Sequence, residues 1–227
     1  MTYLDLVNNV LRRMREDEVA SVSESSYSKL VGDFVNDAKQ FVESAWDWSA
    51  LRTTITITTT PGVFNYSLLG SQNKINVLDV INDTSNNFMD YKSSSWFNNT
   101  FLNQTPGSGS PQSYTFNGVN DDGDTQIDIY PIPDAAYNIR VNVIHRGTIY
   151  GENQQVIRPE ILSADSDKLV IPHMPVLHMA IALLARERGE TGGTSAAEYF
   201  GIADKYMSDA IAFDAQKHPD EITWYVS

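Results

Sequence analysis

The sequence predicts an α+β fold, and three observations carry that prediction. From Tyr27 to Ala45, apolar residues recur at steps of three and four, the signature of an amphipathic helix. At Arg52 the period changes to two: Arg52-Thr-Thr-Ile-Thr-Ile-Thr-Thr-Thr alternates, and its β-branched residues favour a half-buried strand. Near Pro172 the helical pattern returns. Two helices at each end, with a β region between them, imply a terminal four-helix bundle carrying an inserted antiparallel β domain. The expected boundaries are 1–52 and 170–217 for the bundle and 53–150 for the β domain. Residues 151–169 read as an irregular linker and 218–227 as a C-terminal tail.

Composition bounds the function classes. A chain of 227 residues can bury a sizeable core as one large or two small domains. Hydrophobic residues make up 41% and charged residues 20%, ordinary for a soluble globular protein. No apolar run approaches the roughly 18 residues of a membrane-spanning helix, and Met1-Thr-Tyr-Leu-Asp-Leu does not read as a secretory signal. Zero cysteines exclude a disulfide framework and a thiolate metal site. A net charge of −13, spread along the chain, argues against broad contact with nucleic-acid phosphates. Solubility is the plain reading of that acidity.

Thr2 is placed to cap a first helix, with Asp5 in its first turn and Tyr3, Leu4, Val7, Val10, Leu11 and Met14 on its apolar face. Arg12, Arg13 and Arg15 complement the helix end. Serines at 21–26 then supply caps for the second helix, whose stripe comprises Tyr27, Leu30, Val31, Phe34, Val35, Ala38, Phe41, Val42 and Ala45. Trp46, Trp48 and Leu51 mark the helix–sheet junction, where large rings can wedge a helix end. Strand candidates follow at 63–68, 74–81, 88–91, 114–116, 126–130 and 137–144, the last with the cleanest alternation. Ser95-Trp-Phe-Asn-Asn-Thr-Phe-Leu reads as a short helical turn presenting aromatics. Pro172 and Pro175 open a third helix, ended by Gly189, and Thr194 caps a fourth through about Gln216. Asp214 ends its otherwise apolar stripe, and Pro219 stops the helix.

The sequence carries no specific catalytic signature. His173 and His178 are five apart, a step that does not align two ligands on one helical face. Asn120-Asp-Asp-Gly-Asp lacks the spacing of a helical calcium hand and reads as a hairpin turn. No phosphate loop, dinucleotide fingerprint or nucleophile elbow is present, and no cofactor is expected. A carboxylate pair for glycoside cleavage has no linear signature among 29 acids. A carbohydrate-binding or cell-wall-degrading protein, using aromatics such as Tyr91, Trp96, Phe97 and Tyr114, therefore stands as the alternative reading. The tail Pro219, Asp220, Glu221, Ile222, Thr223, Trp224, Tyr225, Val226 concentrates aromatic surface at a chain end, which calls for docking either on the chain's own helices or on a partner.

Several segments carry a family resemblance in their order and spacing: Asn36-Asp-Ala-Lys, Ala45-Trp-Asp-Trp-Ser-Ala-Leu-Arg, Ser95-Trp-Phe-Asn-Asn, Ile129-Tyr-Pro-Ile-Pro-Asp, Ala185-Arg-Glu-Arg-Gly-Glu and His218-Pro-Asp-Glu-Ile-Thr-Trp-Tyr. Over nearly its whole length the chain resembles the head-to-tail adaptor (connector, tail tubular protein A-like) proteins of short-tailed bacteriophages. That resemblance implies a non-enzymatic virion protein at the head–tail junction, assembled in the host cytoplasm into a ring of typically twelve subunits. It implies the portal protein and tail nozzle protein as partners, tail fibres as a further candidate, and no membrane. The helical part would line the DNA ejection channel without sequence-specific binding. Residues 219–226 would grip the portal, and Trp96 and Phe97 are candidates for an outer-face interface.

Overall fold

The computed structural model describes residues 1–103, 105–150, 155–188 and 194–217. The fold is mixed α+β. Its helices are α1 (Tyr3–Arg13), α2 (Ser26–Ala45), α3 (Ser94–Asn103), α4 (His173–Glu187) and α5 (Thr194–Ala215). Its strands are β1 (Arg52–Thr58), β2 (Asn65–Ser67), β3 (Ile75–Asn82), β4 (Asn87–Phe88), β5 (Asp90–Tyr91), β6 (Ser113–Val119), β7 (Thr125–Tyr130), β8 (Asn138–His145), β9 (Ile149–Tyr150) and β10 (Val156–Arg158). Contacts divide the chain into two compact units, Met1–Leu51 with Gly151–Ser227, and Arg52–Tyr150.

In the first unit, α4 packs against α1, α2 and α5. It is apolar nearly all round, with Val176, Leu177, Ala180, Ile181, Leu184 and Ala185 buried, as a central helix must be. A capping box starts α1: the Asp5 N–H donates to Thr2 Oγ1 at 3.2 Å, and the Thr2 N–H donates to Asp5 Oδ2 at 3.0 Å. Ser25 and Ser28 cap α2 in the same reciprocal way. Gly32 sits where α1 crosses α2; a Cβ there would collide with the Tyr3 hydroxyl and Val22.

The buried face of each N-terminal helix differs from the stripe that periodicity predicts. On α1, Leu6 is buried and Leu4 only partly so. On α2 the buried set is rotated toward Asn36, Lys39 and Glu43, and Phe41 is left 52% exposed. Segment 158–171 provides the reason. Asn36 exchanges hydrogen bonds with the Leu162 backbone, its Nδ2 donating to the carbonyl at 3.0 Å and its Oδ1 accepting from the N–H at 2.9 Å. Lys39 Nζ donates to the Glu160 carbonyl at 2.6 Å. The polar residues are thus satisfied inside, as burial requires. The same segment is stapled to the start of α1, where the Tyr3 N–H donates to Asp167 O at 2.8 Å and the Leu169 N–H to Met1 O at 3.1 Å.

The second unit holds two four-stranded sheets, ordered β1-β8-β3-β4 and β2-β7-β6-β5. All pairings within them are antiparallel except the short parallel pair β5–β6. Ile57, Val80, Ile139, Val141 and Val143 from one sheet meet Ile127 and Ile129 from the other in a single core. A bulge at Leu78 breaks the β3–β8 register, and another at Gly118 (φ +76°) breaks β6–β7. Asn120-Asp-Asp-Gly-Asp forms the β6–β7 hairpin turn. Asn120 Oδ1 accepts from the Asp122 and Asp124 N–H groups, and Gly123 takes φ +83°.

Candidate interaction surfaces

Between α2 and β1 the chain turns through Trp48, which is fully buried and donates its indole N–H to the Val42 carbonyl at 2.7 Å. That bond caps an otherwise open carbonyl in the last turn of α2. Leu51 is also fully buried, and Trp46, the C-cap of α2, is half-buried.

Asp214 is the polar anchor of α5. It is nearly fully buried and accepts from the Ser49 N–H at 2.8 Å, the Ser49 hydroxyl at 2.6 Å and Lys217 Nζ at 3.0 Å. Burial works to raise its pKa, but the hydrogen bonds from Ser49 and Lys217 prevail and hold the carboxyl below the usual range. An acid at the end of an apolar stripe was the signal in the sequence; its partner, 165 positions away, was not legible. The anchor fixes the end of α5.

A second polar contact joins three helices. The Arg13 guanidinium on α1 approaches His178 Nε2 on α4 at 3.2 Å, and the His178 ring stacks on Tyr206 of α5 at 4.4 Å. Arginine only donates, so Nε2 accepts and the imidazole is neutral. Burial first, and the Arg13 charge second, push the His178 pKa down. At the far end of α4, Arg188 pairs with Glu16 at 2.6 Å, donates to the Tyr27 hydroxyl and stacks over the Tyr27 ring.

Two helices leave apolar side chains outside. On α2, Tyr27, Leu30 and Phe34 are half-buried and continue one stripe to the exposed Phe41. On α5, Ile202 and Phe213, eleven residues apart and so on one face, are exposed.

In the β unit, α3 is a ten-residue helix begun by Ser93, whose hydroxyl accepts from the Trp96 N–H at 3.3 Å. Phe97 and Phe101 pack on Tyr130 and on each other, and Phe101 also packs on Phe64, with ring centroids 4.8–6.5 Å apart. Trp96 lies edge-on to Phe97 at 5.3 Å, but the two separate in exposure. Phe97 is buried, Trp96 reaches the surface, and Leu102 of the same helix is 83% exposed.

Between the edge strands β1 and β2 lies a groove of about 760 Å³, lined by Thr53–Thr58, Tyr66, Leu69, His145 and Tyr150, among others. None of its lining residues is an acid, lysine or arginine. Among the described residues, no cluster of three or more His, Asp or Glu side chains is arranged to hold a metal ion. No helix among them is long and apolar enough to cross a membrane.

These surfaces are apolar patches and polar anchors. The SU10 adaptor protein family matches residues 1–222. The chain belongs to the SU10 adaptor family. No curated protein matches the sequence. Membership makes the chain a structural component of the phage head–tail junction, associated with other head and tail proteins. The match spans both units and runs into the aromatic tail. In this adaptor, Pro219, Asp220, Glu221, Ile222, Thr223, Trp224, Tyr225 and Val226 lie outside the described residues.

Proposed function

We propose that this adaptor forms a ring, of typically twelve copies, that joins the portal to the tail nozzle and lines part of the DNA ejection channel. The observation that carries the reading is the family match over residues 1–222. Charge distribution supports it. The unit of residues 1–51 and 151–227 holds 21 acids against 11 bases, whereas residues 52–150 hold 8 against 5. An acidic wall repels DNA phosphates and lets a genome slide past. In this reading α1, α2, α4 and α5 act as a four-helix bundle facing the channel, with the β unit as an outward insertion that includes Trp96. The outer stripes of α2 and α5 meet neighbouring copies, residues 219–226 dock on the portal, and fibres attach to the outer face. Assembly takes place in the host cytoplasm.

Negative-stain imaging of the purified chain, alone and with its portal protein, tests the reading. Closed rings that cap the portal are expected. A chain that stays monomeric in the presence of portal would overturn it.

A further inference from the structure

We propose that the open edge of β1 accepts an extended strand from a second, different virion protein, which continues the sheet by β-strand addition. The hydrogen-bond pattern supplies the geometry. The Thr59 N–H donates to Tyr137 O at 2.9 Å, next to the register pair Thr58–Asn138. On the other side of β8, the Asp83 N–H donates to Asn138 O and the Arg146 N–H to Lys74 O, so the even-numbered residues of β8 serve β3. The odd-numbered residues of β8 therefore serve β1, through its partners Thr53, Ile55 and Ile57. The N–H and C=O groups of Thr54, Thr56 and Thr58 point the other way, along the edge, where no strand is paired among the described residues.

Among the described residues, this edge carries no proline, lysine or bulge and is not short. Exposed edges are normally blunted by proline, lysine, a bulge or shortness. Here seven residues, Arg52–Thr58, run in unbroken register with β8, and only Arg52 is charged. The adjoining groove offers what an incoming strand needs. Its inner wall carries Ile55, half-buried, and Ile57; its lip carries Leu69, 75% exposed, and Tyr150. Bond donors and acceptors along the edge would give affinity, and the groove would select side chains at alternate positions. In a chain of charge −13, an uncharged groove selects an uncharged strand with apolar residues at the inward positions.

The occupant is another protein rather than a second copy. Among the described residues, the other edges of the two sheets are short: β2 has three residues, and β4 and β5 have two each. That leaves β1 as the only matching edge among them, and β1-to-β1 pairing is two-fold, closing at two copies. This step rests on the ring reading, which a two-fold pair does not satisfy.

The test uses an array of overlapping synthetic peptides covering the other virion proteins of the same phage, probed with the full chain. Binding to peptides with an alternating, uncharged segment is expected. Thr56→Pro removes an outward N–H while sparing the β8 ladder, a placement proline tolerates on an edge strand. It should weaken that binding about tenfold or more, whereas Thr56→Ser should not. Leu69→Asp, at the exposed lip, is a second variant and does not depend on Thr56→Pro folding. Amide exchange at Thr54, Thr56 and Thr58 should slow when peptide binds. Binding to no peptide, equal binding by Leu69→Asp, or unchanged exchange would overturn strand addition. Protection of those amides by self-association alone would overturn the choice of occupant. A chain that forms no ring yet binds peptide through this edge would instead refute the ring reading and leave strand addition standing.

Discussion

Lys39 and Glu43 form an ion pair at 2.9 Å on α2, with side chains only 3% and 5% exposed. The pair faces segment 158–162, where Lys39 also bonds to the Glu160 carbonyl and where Arg158 is itself nearly buried. Burial pushes the Arg158 pKa down, and the charge of Glu43 opposes that shift. One carboxylate therefore steadies cations from α2 and from a segment more than a hundred residues later. Replacing it leaves positive charge in a dry site, the costly way to break a buried pair. Glu43→Gln is expected to lower unfolding free energy by about 3–5 kcal/mol, measured by urea denaturation with α-helical signal as the probe.

Asp214 predicts an acid limit for the same unit. Its folded pKa lies below the unfolded value of about 3.9, so its contribution is fully present above that value. The contribution is lost as pH falls through the depressed folded pKa. Asp214→Asn should be less stable than wild type by about 2–4 kcal/mol at pH 7. The gap should narrow as pH falls below about 3.9. A gap that stays constant between pH 7 and pH 3 would show that charge at Asp214 is immaterial.

His178 acts at milder pH. Its folded pKa is depressed, so above about 6.5 both folded and unfolded states carry a neutral ring and nothing is lost. As pH falls below that value, the unfolded chain takes up the proton first and folded stability declines until the depressed pKa is passed. Protonation also puts a second cation against Arg13. Melting of wild type is expected to drop between pH 7 and pH 5, and the drop should shrink in His178→Gln.

Deleting residues 219–227 tests the portal strap. Burying one Trp or Tyr contributes on the order of 2 kcal/mol, and repetition around a ring multiplies the attachment. The truncated chain is expected to melt as wild type does while losing stable binding to portal in a sedimentation assay. Unfolding of the truncated chain would assign Ile222, Trp224 and Tyr225 to its own core instead.

Local pattern alone specified much of this protein. The change from a 3.6 period to a period of two at Arg52, and back near Pro172, is a property of neighbouring residues, and it sufficed for the α+β class. The caps at Thr2 and Ser25, the Asn120–Asp124 hairpin and the acidity of the chain are equally local. What lay beyond the sequence depends on partners far along the chain. Which face of α2 is buried was decided by Glu160 and Leu162, because their backbone groups satisfy Lys39 and Asn36 and let polar residues go inside while Phe41 stays out. Asp214 became an anchor only because Ser49 lies against it. Alternation marks β1 and β8 alike as strands, yet period two follows side-chain direction and carries no record of neighbours. That β8 is central and β1 an edge strand among the described residues was set by long-range pairing, which only the tertiary structure decides.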